Sequence, residues 1–243
     1  MPIISVDNVT QKFGARTIFK NVTFEIEAGE VFVILGGSGC GKSTLLKQMI
    51  GLLPPTEGDI TVTGHSVTRD LDAVRKNIGV MFQSGALFGS KTLLDNIMLP
   101  LAVFTDLPPA ARAEIARIKL ALVGLGDAAL RLPAEISGGM VKRAAIARAL
   151  ALDPPVLLLD EPSAGLDPIT SAGLDRLILD LRDQVGATFV VVTHELASIL
   201  AIADRCIMLD AQAQGMIAEG RPRDLKDHPT DPMVKAFFNR ETL

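Results

Sequence analysis

An α/β fold, a parallel sheet wrapped by helices and interrupted by a helical insertion, is what this sequence predicts. Three observations carry it. The apolar run Val31 to Leu35 empties into a glycine-rich turn and then a helix. Two further apolar runs, Val156–Leu159 and Thr188–Val192, are each followed by a helical pattern, the alternation from which parallel sheets are built. Between Ser84 and about Asp153 strand signals vanish and helical periodicity takes over.

Taken in order, Ile3–Thr10 and Val22–Ile26 alternate with period two and read as half-buried antiparallel neighbours, with Phe13 between them. These form a small antiparallel β subdomain. Val31–Leu35 is apolar throughout, as a strand covered on both faces must be. After Pro54–Pro55, Asp59–Thr63 reads as a strand closed by Gly64, and Ile78–Phe82 as a short strand ending at Gln83. The insertion contains helices over Leu93–Leu101, Ala110–Val123 and Gly138–Leu150. Cys206–Leu209 and Met216–Ala218 read as an edge hairpin, and the tail from Arg221 holds two short helical patterns. Val234, Phe237 and Phe238 fall on one face of the second, as core cover or as an exposed anchor for a partner. The domain reading is one unit over 1–243, with a core about 1–83 and 154–220, a helical subdomain about 84–153 and a tail 221–243.

The turn after Val31–Leu35 fits G-x-x-x-x-G-K-S/T, running Gly36, Gly37, Ser38, Gly39, Cys40, Gly41, Lys42, Ser43, with Thr44 next in the helix. Successive backbone N–H groups can curl round a phosphate there, and side chains on the glycines would obstruct it. The helix N-terminus adds about half a positive charge aimed at the same anion. Lys42 can reach β- and γ-phosphates, and the Ser43 hydroxyl can ligate Mg²⁺. The expectation is a nucleoside triphosphate site.

Val156–Leu159 ends in Asp160–Glu161, at the sheet edge where α/β folds place ligands. Asp160 is placed to hold the same Mg²⁺. Glu161, one residue on and facing the other side of the strand, can take the proton of an attacking water. Thr188–Val192 leads through Thr193 to His194 on that edge, where a neutral imidazole could donate to the γ-phosphate. A second anion site opens the last helix of the insertion: Ser137 is a good N-cap, and Gly138 and Gly139 leave backbone N–H groups bare. One chain could hardly close both sites round one nucleotide, whereas two chains packed head to tail could.

The ordered set of phosphate loop, Gln83, Ser137-Gly138-Gly139-Met140, Val156–Glu161, Ser163–Asp167 and His194 resembles the ATP-binding subunits of ABC transporters, over residues 3 to about 220. The resemblance implies a RecA-like P-loop NTPase core and ATP hydrolysis with Mg²⁺. It also implies an adenine-stacking ring at Phe13 and a γ-phosphate, metal and permease sensor at Gln83. A signature serine at Ser137, a nucleotide-side dimer loop ending at Asp167, Glu161 as general base and His194 as switch follow from it too. Phe13 stands where many relatives have Tyr, and Met140 where the usual signature has Gln. Met140 with Lys142–Ala145, the Phe82–Phe88 segment and the Asp231–Phe238 tail are similar to the ATPases of Mla-type systems, which move phospholipid between bacterial membranes. That resemblance implies a second copy of the chain, an integral-membrane permease, an MCE-type lipid-binding subunit and a small STAS-domain subunit as partners. The place it implies is the cytoplasmic face of the bacterial inner membrane. Amino-acid and metal-ion importers share most of the same core, so a polar-solute importer ATPase is the alternative.

Bulk properties narrow the classes. A chain of 243 residues, 48% apolar and 21% charged, is long enough for one large packed domain. The longest charge-free stretch, Asn77–Ser90, is shorter than the roughly 18 residues a membrane span needs. Asp7 and Lys12 interrupt any signal-peptide core, so a cytosolic protein is expected. Cys40 and Cys206 are too few for a disulfide framework. A net charge of −4 argues against a broad nucleic-acid surface. A DNA- or ribosome-directed ABC protein usually carries two cassettes or long coiled coils, and a small-molecule kinase has no use for the Ser137–Gly139 segment.

Overall fold

The computed structural model describes residues 2–241. Its elements run β1 (Ile4–Phe13), β2 (Arg16–Ile26), β3 (Val31–Gly36), α1 (Lys42–Met49), β4 (Glu57–Val62), β5 (His65–Ser66), α2 (Leu71–Lys76) and β6 (Ile78–Met81). Then follow α3 (Leu93–Phe104), α4 (Pro109–Leu122), α5 (Gly138–Ala149), β7 (Val156–Asp160), α6 (Pro168–Val185), β8 (Thr188–Val192) and α7 (Leu196–Ile202). The chain closes with β9 (Arg205–Asp210), β10 (Gly215–Gly220), α8 (Pro222–Asp227) and α9 (Pro232–Asn239).

Six strands form the main sheet in the order β10-β9-β3-β8-β7-β6. All neighbouring pairs are parallel except β10, which lies antiparallel to β9 at the edge. Alternate residues of β3 divide between two cores. Phe32 and Ile34 pack with α1 and the antiparallel sheet, while Val31, Val33 and Leu35 pack with the helical side, which is why this run has no polar position. The second sheet, β2-β1-β4-β5, is antiparallel.

The arms of the β1–β2 hairpin are longer than period-two alternation predicts, and Phe13 ends β1 rather than lying in a loop, paired with Arg16. Register shifts between Val6 and Lys12 explain the misreading. Each extra residue of a bulge flips the face that follows, so the alternation breaks while the ladder continues. Asn8 and Asn21 carry the positive φ that such irregular positions demand, 49° and 51°. Helix α2 and the two-residue β5 are too short to show a period in the sequence.

Among the described residues no strand lies between β6 and β7, and α3, α4 and α5 pack against one another there. Helix α3 opens with a reciprocal cap between Thr92 and Asp95. In the tail, α9 buries Val234 and Phe238 (0% and 2% exposed) in the helical-side core, with Phe237 half-buried beside them. The apolar face of α9 is therefore core cover, against the reading of Phe238 as an exposed anchor. Thr242 and Leu243, the end of the predicted tail, lie outside the described residues.

Candidate functional site

Parallel strands deliver their C-terminal ends to one edge, and that edge is the site. Gly36 ends β3, Asp160 ends β7, and Val192 ends β8 two residues before His194. Strand β8 lies between the other two, with Val192 paired to Ile34 on one side and to Asp160 on the other. The ladder continues past the strand ends: Thr193 N–H donates to the Ile34 carbonyl at 3.3 Å and Glu161 N–H to that of Val192 at 2.8 Å.

The phosphate loop takes its path from two glycines. Gly36 has φ 146°, and a Cβ there would strike the Leu209 carbonyl and the Cys40 sulfur. Gly41 has φ 103°, and a Cβ would come within 2.6 Å of the Phe19 ring. Gly41 also caps α1 without any side-chain hydrogen bond, so the first N–H groups of the helix stay open to an anion. Lys42 folds back over the loop, its Nζ donating to the carbonyls of Gly36 (2.8 Å) and Gly37 (3.0 Å). Gly37, Ser38, Gly39 and Ser43 are exposed. Cys40 departs from a ligand role for its side chain. It is 1% exposed, in the core beneath the loop, where burial pushes the thiol pKa up, so only its backbone belongs to the site. A cleft of about 380 Å³ beside the loop is lined by Phe13, Arg16 and Ile18 of the hairpin and by Gly39, Gly41, Lys42, Ser43 and Thr44. Phe13 is 49% exposed, a ring left open in that cleft rather than a core residue. Arg16 and Ile18 escaped sequence reasoning because nothing in a hairpin arm marks which residues face a loop 20 or more positions away.

Glu161 does not continue the strand in the way alternation implied. It has φ 47°, the left-handed region, so the chain turns out of β7 after Asp160. A non-glycine residue held there is strained and persists because its surroundings fix it. Its Oε1 lies 2.8 Å from His194 Nδ1, while its Oε2 is buried without a partner. Asp160 Oδ1 and Ser163 Oγ are likewise buried and unpartnered. Burial first, and then the charge of Glu161, raises the Asp160 pKa, against Lys47, Lys42 and Lys142, which lower it. An unsatisfied Asp160 oxygen on the sheet edge that carries the phosphate loop is the kind of donor a hard divalent cation takes. Among the described residues no group of three or more His, Cys, Asp and Glu side chains could hold a metal unaided. Mg²⁺ fits, because it takes one or two carboxylates and completes its shell with substrate phosphates and water.

Gln83 follows β6 with its side chain exposed, and its carbonyl accepts from the Lys142 ammonium. The sequence marks Lys142 only as part of the segment that carries the Mla-type resemblance and gives it no place in the site. Ser137 caps α5, accepting from Met140 N–H at 3.3 Å, and is exposed with Gly138. Gly139 is buried instead: a Cβ there would meet Thr170 Cγ2 at 2.5 Å, so this glycine lets α5 lie against α6. None of Ser137, Gly138 and Gly139 lines the cleft at the phosphate loop. Asp167 is committed as the N-cap of α6, Oδ1 accepting from Ile169 and Thr170 N–H at 3.0 Å each and Oδ2 from the Thr170 hydroxyl at 2.5 Å. These bonds hold its carboxyl pKa below the usual range.

A phosphate loop, a carboxylate pair and a histidine on one parallel-sheet edge, with a capped helical insertion, define an ATP-binding cassette. A model of the ABC transporter family matches residues 19–164, and the chain belongs to that family. Among its relatives is the probable ribonucleotide transport ATP-binding protein mkl of Mycobacterium tuberculosis, 43% identical over 240 residues. That match takes in 97% of this chain, which spans 66% of the relative's length. The intermembrane phospholipid transport system ATP-binding protein MlaF of Haemophilus influenzae is 41% identical over 227 residues, covering 92% of this chain and 85% of MlaF. A solved dimeric ATP-binding cassette, in a post-hydrolysis state with ADP and phosphate bound, superposes with TM-score 0.79 at 33% identity. It covers 90% of this chain and 98% of that one.

Proposed function

We propose that this chain is the ATP-hydrolysing subunit of an ABC transporter, closing head to tail with a second copy on ATP to drive a membrane permease that moves phospholipid. The observation that carries it is the separation of two helix ends suited to an anion, the open N-terminus of α1 and the Ser137 cap of α5: Ser137, Gly138 and Gly139 do not line the cleft at the phosphate loop. The solved relative with ADP and phosphate is itself dimeric, which supports the pairing.

In this reading Phe13 stacks on the adenine, and the loop Gly36–Gly41 with Lys42 cradles the phosphates. Ser43 and Asp160, with Gln83, would hold Mg²⁺, which when bound neutralises charge on the β- and γ-phosphates. Glu161 accepts the proton of the attacking water, and His194 holds the carboxylate at Oε1, leaving Oε2 free for that task. Ser137 and Gly139 of the second copy cover the γ-phosphate, the glycine through its backbone N–H. Residues 84–153 form the helical subdomain of the single ATPase domain, and the charge-free Ser84–Ser90 segment receives the permease. Attachment at the cytoplasmic face of the inner membrane is through that permease; no helix among the described residues is long and apolar enough to cross a membrane. An MCE-type lipid-binding subunit and a STAS-domain subunit complete the assembly, and nucleic acid is not a partner.

The phospholipid cargo follows MlaF. The name of the mycobacterial relative favours a second reading, a ribonucleotide or other polar-solute transporter. Reconstituting the chain with its permease in vesicles separates them: stimulation of ATP hydrolysis by phospholipid supports the first, and stimulation by ribonucleotide alone overturns it. Dimer closure is tested by crosslinking a cysteine at Ser137 to one at Ser38. ATP-dependent crosslinks between copies are expected, and nucleotide consumed at full velocity by a solitary protomer would rule the sandwich out.

A further inference from the structure

Lys142 sits in α5, five residues past the Ser137 cap, and is only 7% exposed. Its ammonium donates to the carbonyl of Gln83 and reaches that of Glu161 at 3.5 Å. One side chain thus joins the helix that Ser137 opens to the loop after β6 and to the turn after β7. Arg148, six residues further along α5, grips the same loop, donating to the carbonyls of Ala86 (2.6 Å) and Gly85 (3.0 Å). Lys142 extends that grip to Glu161.

A buried ammonium is costly, and a lysine kept only for packing would be exchanged for an apolar chain of like volume with little or no loss. Burial pushes the Lys142 pKa down, while the carboxylates of Glu161 and Asp160 push it up. What it contacts is informative: it binds the backbone of Glu161, the residue held at φ 47°. Such a conformation needs over-determination by its neighbours. The Val192 carbonyl supplies one constraint, the Ala164 N–H donating to the Glu161 carbonyl at 3.1 Å a second, and Lys142 on that same carbonyl a third, the one that ties the turn to another element.

We infer that Lys142 is a positioning residue for ATP hydrolysis, fixing the Gln83 loop and the Glu161 turn to the helix that Ser137 opens. The inference rests on the reading of Glu161 as general base. Misplacing a reacting group by about 1 Å can cost on the order of 100-fold in rate, so the effect belongs in turnover and not in nucleotide affinity.

The test uses the full chain in steady-state MgATP hydrolysis, with binding of a non-hydrolysable ATP analogue and thermal melting measured alongside. Lys142→Met, which keeps length and loses the donors, is expected to lower kcat about 10- to 100-fold with KM, analogue affinity and melting temperature near wild type. Lys142→Arg is expected to restore most of the rate. Wild-type kcat in Lys142→Met overturns the inference, as does a loss matched by weaker analogue binding and a lower melting temperature, or failure of Arg to rescue. If Lys142→Met does not fold, Lys142→Gln is read by the same criteria. Glu161→Gln, run in parallel, keeps the two readings apart: wild-type turnover in that variant sinks the base assignment whatever Lys142 does.

Discussion

His194 Nδ1 and Glu161 Oε1 lie 2.8 Å apart across the ends of two neighbouring strands, β8 and β7. The histidine is 59% exposed on its side chain and the glutamate 12%, so an accessible group holds a sheltered one. That asymmetry separates their expected effects.

Glu161→Gln keeps the shape and removes the proton acceptor. Hydrolysis is expected to fall about 10²–10⁴-fold, the range for loss of a general base, while ATP stays bound and the copies stay closed. Single-turnover hydrolysis with size-exclusion chromatography in ATP checks both halves.

His194→Ala leaves Glu161 Oε1 without its partner but leaves the base in place. A drop in kcat smaller than that of Glu161→Gln is expected, with nucleotide affinity unchanged. A loss of affinity instead would show that the imidazole serves binding.

Lys42 rests on the carbonyls of Gly36 and Gly37. Lys42→Ala removes the cation over the loop, and ATP affinity is expected to fall by about tenfold or more, the worth of a charge-assisted hydrogen bond. Equilibrium titration with a fluorescent ATP analogue measures it. Unchanged affinity would remove Lys42 from the site.

Asp160 carries a raised pKa, first from burial and then from Glu161. The native state therefore binds its proton more tightly than the unfolded chain does. Stability from this group is present below the unfolded aspartate range and is lost as pH rises through the raised value. Without nucleotide, Asp160→Asn is expected to melt above wild type at neutral pH, the gain shrinking as pH falls, while MgATP turnover collapses. A melting temperature below wild type at pH 7 would contradict this.

Phe238, 2% exposed, makes α9 part of the core. Phe238→Ala is expected to cost about 3–5 kcal/mol and half-buried Phe237→Ala less, read by urea denaturation. Equal small effects would return the tail to the surface.

The chemistry-bearing pieces were legible in the sequence because each is local. The Gly36–Ser43 spacing, the apolar runs that end at Asp160 and before His194, and the Ser137 cap are set by residues within a turn or two of one another. Boundaries were less legible where bulges break alternation, as between Val6 and Lys12. The burial of Gly139 under Thr170 and the commitment of Asp167 to a helix cap turn on neighbours that no spacing specifies.

The sequence by itself determined which groups reach the ends of strands, since strand polarity and the glycine turn follow from local pattern. Only the tertiary structure decided who meets whom. Inserting β8 between β3 and β7 sets His194 on Glu161, and packing α5 under β6 drives Lys142 onto the backbones of Gln83 and Glu161. Strand order and helix docking are fixed by burying apolar faces from distant parts of the chain, and that sum has no signature in any one segment.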